Sequence, residues 1–133
     1  MILQTFHIRH YWKVLVYYDV DFDLFYLIER ELYKIGYSRR AIHKIRRELE
    51  VSNGKAVTCS NLRLHVSVVL FIKHRYCNDY LNSIIHEAEH IKQAMLESYR
   101  VIDEGETAAY TIGYLAYKLY KGLLYLLKNN KCN

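Results

Sequence analysis

The sequence predicts a single α+β domain over residues 1–133, with one small sheet and roughly four helices. A chain of 133 residues has the length of one ordinary domain. Its composition, 52% hydrophobic and 25% charged residues, is typical of globular rather than disordered proteins. Segments rich in β-branched and aromatic residues alternate with segments whose apolar residues recur at helical spacing, which predicts strands and helices in the same domain.

The first half of the chain predicts a strand followed by two helices. Residues 11–20 are rich in β-branched and aromatic side chains and predict a strand. The next helix is expected to begin at Asp21 or Asp23 and to be stopped by Gly36. Ser38 is then the expected N-cap of a second helix.

The rest of the chain predicts two further strands and two long helices. Residues 55–60 and 64–73 are expected to be strands that follow a turn at residues 52–54. The longer strand contains the run VSVVLFI, which is typical of a strand buried on both faces. Helices over residues 78–98 and 106–127 complete the domain.

Several features of the sequence predict a cytoplasmic protein without a membrane partner. The first residues lack the apolar run of a secretory signal, and the longest apolar stretch is too short to span a bilayer. The 3 cysteines, Cys59, Cys77 and Cys132, are an odd number without CxxC spacing. This pattern disfavours a disulfide framework and a zinc finger, so we expect reduced thiols.

The most informative segment is HEAEH, from His86 to His90, which matches the HExxH pattern inside a predicted helix. Residues four apart lie one turn apart on the same helix face, so the two imidazoles can converge on one Zn²⁺ ion. Glu87 follows His86 directly and is the candidate general base for metal-assisted hydrolysis. The competing interpretation is a solvated helix face with two incidental histidines.

A catalytic zinc site needs three protein ligands, and carboxylates are available downstream of the motif. Three carboxylates lie around the start of the last predicted helix, at Asp103, Glu104 and Glu106. Glu106 is the preferred third ligand because it lies on the helix, where its position is rigid. Glu104 precedes Gly105 in a predicted loop and is harder to hold in place, and both Glu104 and Asp103 stay open as alternatives.

These residues resemble the gluzincin arrangement, in which HExxH is followed by a downstream Glu ligand. More narrowly, the chain is similar to the minimal single-domain zincin-like proteins of bacteria, phages and prophages over roughly residues 55–120. Their third-ligand helix often contains E-x-x-A-Y followed by G-x-L. The matching positions here are Glu106, Ala109, Tyr110, Gly113 and Leu115. The resemblance implies a zincin-like fold, with a small sheet packed on the active-site helix and Zn²⁺ held by His86, His90 and Glu106.

The leading functional interpretation is a zinc-dependent metallopeptidase with a peptide or protein substrate. Glu87 would take a proton from the attacking water and deliver it to the leaving amine. The buried part of the predicted strand, residues 66–73, is expected to offer a backbone edge to an extended peptide. Tyr110 and Tyr114 are candidates to contact the substrate or the tetrahedral intermediate, with simple packing as the alternative.

Two other functions stay open. The first is a non-catalytic zincin-like module that binds a protein partner. The second is nucleic-acid binding through the basic helix at residues 39–47, within a segment (34–47) that contains no acid. Acidic residues gather instead at residues 87–106. Nucleic-acid binding is disfavoured at this stage because a net charge of +5 and a pI of about 9.0 are only mildly basic.

Overall fold

A four-stranded mixed sheet carries two helices on each face in the computed structural model, which describes residues 1–9, 11–51 and 55–129. The strands are β1 (Ile2–Ile8), β2 (Trp12–Tyr18), β3 (Ala56–Asn61) and β4 (Val66–Phe71). The helices are α1 (Phe25–Lys34), α2 (Arg39–Val51), α3 (Cys77–Ser98) and α4 (Gly105–Asn129). The predicted α+β class and helix count are confirmed for this part of the chain, and the predicted turn at residues 52–54 lies outside it.

The strand order is β1-β2-β4-β3, which places β1 and β3 at the two edges of the sheet. The antiparallel hairpins β1–β2 and β3–β4 are joined by parallel pairing of β2 with β4. The expectation that the strand within residues 64–73 offers a free backbone edge is wrong, because β4 is hydrogen-bonded to a strand on each side. The free edge on that side of the sheet belongs to β3.

The ends of α1 and α2 follow from local side-chain chemistry. The backbone N–H of Ala41 donates to Ser38 Oγ at 3.1 Å, which confirms Ser38 as the N-cap of α2. Gly36, at the end of α1, has a φ of 94°, in the left-handed region that glycine adopts without steric cost.

Asp21 caps a short 3₁₀ turn at residues 22–24, since its carboxylate accepts a hydrogen bond from the backbone N–H of Asp23 at 3.0 Å. The prediction that Asp21 or Asp23 caps α1 itself is wrong, because the N-cap of α1 is Leu24, which makes no capping side-chain hydrogen bond.

The two central strands separate two hydrophobic clusters. Val16 and Val69 pack in the cluster that includes α3 and α4, whereas Leu15 and Val68 pack in the cluster that includes α1 and α2. Every residue of β4 is buried, which confirms the predicted burial of this strand on both faces. The sheet therefore divides the molecule into an α1/α2 side and an α3/α4 side.

Gly122 allows α4 to lie directly against β2. A Cβ atom at this position would collide with the ring of Tyr18, whose hydroxyl lies 2.9 Å from the carbonyl oxygen of Leu119. We expect Gly122→Ala to lower the free energy of unfolding by about 1–3 kcal/mol through overpacking, measured by urea denaturation. Gly113→Ala on the same helix is the matched control, because a Cβ there meets open space and should stabilise α4 by up to about 1 kcal/mol. Equal effects of the two substitutions would contradict this account.

His74 is a buried histidine whose hydrogen bonds suit the neutral ring. Its Nδ1 lies 2.6 Å from the carbonyl oxygen of Ile72, and its Nε2 lies 2.8 Å from Ser83 Oγ. With a proton on Nδ1 only, the ring donates to the carbonyl and accepts from the hydroxyl. Burial lowers the pKa of His74 below its ordinary value of 6.5.

The free energy of unfolding should therefore fall as the pH drops below about 6.5. In that range the unfolded chain binds a proton at His74 that the folded chain binds only at lower pH. Urea unfolding at about pH 7.5 and about pH 5 measures the effect. The pH dependence should shrink in His74→Gln and persist in His43→Gln, which changes an exposed histidine on α2. The same pH dependence in His74→Gln and the wild type would rule out His74 as its source.

Candidate metal centre

Helix α3 holds the HEAEH segment with one face on the sheet and the other in solvent. Ile84, Ala88 and Ile91 are buried at the spacing of one helix face and belong to the α3/α4 cluster. His86 and His90 are exposed on the other side of the helix. The helical spacing that the motif requires is thus present, and the histidines lie side by side where an ion can reach them.

The two imidazoles are close enough to share one ion. Their Nε2 atoms are 3.1 Å apart, and the rings meet edge to face at 77° with centroids 4.7 Å apart. Two nitrogen ligands of a tetrahedral Zn²⁺ ion, each at about 2.0–2.1 Å, would lie about 3.3 Å from each other. The separation of the two nitrogens therefore matches two ligand positions of a zinc site, and it also matches a hydrogen bond between the two rings.

Glu87 points from α3 towards the edge strand β3 and is only 3% exposed. Thr58 Oγ1, on β3, donates a hydrogen bond to Glu87 Oε2 at 2.5 Å. Glu87 is one residue from His86 and three from His90, so its carboxylate lies on the side of α3 between the histidines and β3. The hydrogen bond fixes the direction of the carboxylate, and the burial restricts its access to water.

Asp103 and Glu89 are held by Lys92. The Lys92 Nζ atom lies 2.8 Å from a carboxylate oxygen of each residue. Hydrogen bonds to Asp103, and secondly to Glu89, raise the pKa of Lys92. Lys92 lies six residues after His86, about 120° around the helix, so Asp103 is tied to a different side of α3 from the histidine pair.

Glu106 lies on the exposed side of the first turn of α4. It is nine residues before the buried Leu115, which places the two about 180° apart around the helix. Within residues 1–9, 11–51 and 55–129, no group of three or more His, Cys, Asp or Glu side chains is arranged to hold a metal ion. This structure brings His86 and His90 together, and it does not bring Glu106 to them.

Tyr110 and Tyr114 lie in a different part of the molecule from the histidine pair. They line a groove of about 720 Å³ between the β1–β2 turn, the end of α3 and the start of α4. The described lining residues include Tyr11 and Tyr99 but none of the HEAEH segment. In this structure the two tyrosines therefore do not lie beside the histidines, where the predicted contact with a substrate would require them.

The cysteines do not take part in the candidate site. Cys59 is a buried free thiol on the α1/α2 side of the sheet, and burial raises its pKa to about 12, so it is not an activated nucleophile. Cys77 is disulfide-bonded, so the expectation of reduced thiols is wrong for this residue. Cys132 lies outside the described residues.

Comparison with known proteins does not assign the chain to a family. No protein family, curated protein or solved structure matches the chain. Among the described residues, no helix combines the length and the apolar character needed to cross a bilayer. A functional proposal for this chain therefore depends on the geometry of α3 and β3.

Proposed function

We propose that this protein is a zinc-dependent hydrolase that cleaves peptides at a site between α3 and the edge strand β3. The observation that carries the proposal is the pair of exposed imidazoles whose Nε2 atoms lie 3.1 Å apart. At this distance one neutral ring can donate its Nε2–H to the other ring, and a bound zinc ion would take the place of that proton.

The roles of the residues follow from this geometry. When bound, Zn²⁺ polarises the scissile carbonyl and makes the attacking water more acidic. His86 and His90 would hold the ion, and Glu106 stays the third ligand implied by the family resemblance. Reaching the pair would require the start of α4 to rearrange. Glu87 takes the proton of the water and delivers it to the leaving amine, while the hydroxyl of Thr58 orients its carboxylate.

Substrate would bind along β3 rather than β4. The outer edge of β3 is not paired within the sheet, and Thr58 on this strand already contacts Glu87. An extended peptide that adds to this edge as a fifth strand would place its carbonyl groups beside the HEAEH face of α3. This arrangement supports a peptide rather than a small molecule as the substrate.

A non-catalytic, zinc-binding interaction module is the second candidate, and the burial of Glu87 favours it. A general base must reach the water that it deprotonates, whereas Glu87 is 3% exposed and bonded to Thr58. In this function the histidine pair binds zinc and the edge of β3 captures a peptide without cleaving it.

Two measurements test both candidates. The first is metal analysis of the protein purified without added zinc or chelator, and the second is incubation with a peptide library followed by mass spectrometry. Bound zinc with cleavage supports the hydrolase, and bound zinc without cleavage supports the interaction module. A metal-free protein that also fails to bind titrated Zn²⁺ tightly would contradict both.

The zincin-like family, a phage or mobile-element origin and a cytoplasmic location stay predictions from the sequence.

A further inference from the structure

The outer face of α2 carries a stripe of exposed cations. Arg40, Lys44 and Arg47 recur at four and three residues, which places them on one helix face, and all three are exposed. The opposite face of α2 is anchored by the buried Ile42 and Leu49. The ion pairs of the described residues include none of the three cations. We call these three residues the cationic stripe.

The charges of the cationic stripe work against the stability of α2, although Arg46 and Glu50 of the same helix form an ion pair at 3.1 Å. Neighbouring cations at these spacings repel each other by about 0.2–0.5 kcal/mol per pair. Arg39 and Arg40 stand in the first turn, which contains no acid, and Glu48 and Glu50 stand near the end. Both placements oppose the helix dipole, which favours acids at the start and bases at the end. A polyanion along the cationic stripe would relieve the repulsion and the unfavourable placement of the arginines.

The tertiary structure also separates the basic segment from the acidic one. Residues 34–47 contain no acid, whereas most acids of the second half lie within residues 87–106, on α3 and the start of α4. The sheet lies between α2 and these elements. The seven acids of the first half lie within residues 19–50, where they equal the bases in number, so the positive potential on the α1/α2 side is confined to the cationic stripe, where it can orient an approaching polyanion.

We propose that the cationic stripe of α2 binds the phosphate backbone of duplex nucleic acid without sequence preference. Single-stranded nucleic acid is less suited, because α2 contains no Trp, Tyr or Phe on which bases could stack. An acidic protein partner is also less suited, because α2 has no Trp, Tyr or Phe and Val51 is its only large exposed apolar residue, which is too little for the centre of a protein interface. The proposal uses the side of the sheet opposite α3 and does not depend on zinc or hydrolysis.

Fluorescence anisotropy with a labelled DNA duplex of mixed sequence tests the proposal across a series of NaCl concentrations. Three phosphate contacts predict a slope of about −3 in a plot of log K against log salt. Arg40→Gln/Lys44→Gln/Arg47→Gln should weaken binding at about 50 mM salt by at least tenfold. Each single substitution should make the slope less steep by about 0.9, which keeps the test valid if the triple variant folds poorly.

The matched control is Lys118→Gln/Lys121→Gln/Lys128→Gln, which removes the same charge from α4 on the other side of the sheet. It should retain most of the affinity for the duplex. Equal loss in the two triple variants would overturn the proposal in favour of a general charge effect. Tighter binding of a single-stranded oligonucleotide, equally strong competition by polyglutamate, or no duplex binding at low salt would each overturn it as well.

Discussion

Replacement of Glu87 by Gln is expected to lower peptide hydrolysis by roughly 10²–10⁴-fold while zinc stays bound. The amide keeps the shape of the side chain and can still accept a hydrogen bond from Thr58, but it lacks the basic oxygen. Zinc binding should not change, because Glu87 is not among the proposed ligands. Initial rates on a peptide cleaved by the wild type, together with metal content, measure both effects.

Glu89→Gln is the matched control, since it makes the same chemical change two residues along α3 on a partly exposed side chain bonded to Lys92. It should leave hydrolysis nearly unchanged. Because Glu87 is buried, the thermal unfolding of Glu87→Gln must be compared with that of the wild type before its activity is interpreted. A folded Glu87→Gln protein that cleaves as fast as the wild type would eliminate Glu87 as the general base.

Replacement of His86 by Ala is expected to abolish stoichiometric zinc binding. In the proposed site the two histidines, whose Nε2 atoms are 3.1 Å apart, would chelate one ion together, so the loss of either would leave a single imidazole. The effect should exceed the roughly 10–100-fold loss of affinity that follows removal of a residue that only supports a ligand. Calorimetric titration with Zn²⁺ and metal analysis of the purified variants provide the measurement.

His43→Ala is the control for this experiment, because His43 is an exposed histidine on α2, across the sheet from the candidate site. His90→Ala should repeat the effect of His86→Ala. Since both histidines are exposed, their replacement should leave the thermal unfolding of the metal-free protein nearly unchanged. Zinc retained at full stoichiometry in His86→Ala would show that the metal, if present, binds elsewhere.

The sequence by itself determined the parts of this protein that depend on local chemistry. The hydroxyl of Ser38 caps α2, and the apolar spacing of Ile84, Ala88 and Ile91 determines which face of α3 is buried. The same spacing places His86 and His90 on the opposite side. These features were predictable because helix periodicity and capping involve residues only a few positions apart.

Only the tertiary structure decided how distant segments meet. β1 was not predicted as a strand, because apolar Leu3 and polar Gln4 break the apolar–polar alternation of its sequence; it is a strand because it pairs with β2, and its alternate residues are then more buried. The strand order placed β4 in the interior and gave the free edge to β3, where Thr58 meets Glu87. Local pattern cannot specify such pairings, because they depend on which buried faces pack against each other across the whole domain.

The position of the predicted third zinc ligand also depends on tertiary packing rather than on local sequence. The choice among Asp103, Glu104 and Glu106 rested on which position is rigid, but rigidity does not determine direction. The buried residues of α4 fix the rotation of that helix against the rest of the core, and this rotation turns Glu106 outward. Lys92 holds Asp103 on another side of α3. The motif thus specified that the two histidines lie close together, whereas the packing of α4 determined where Glu106 lies relative to them.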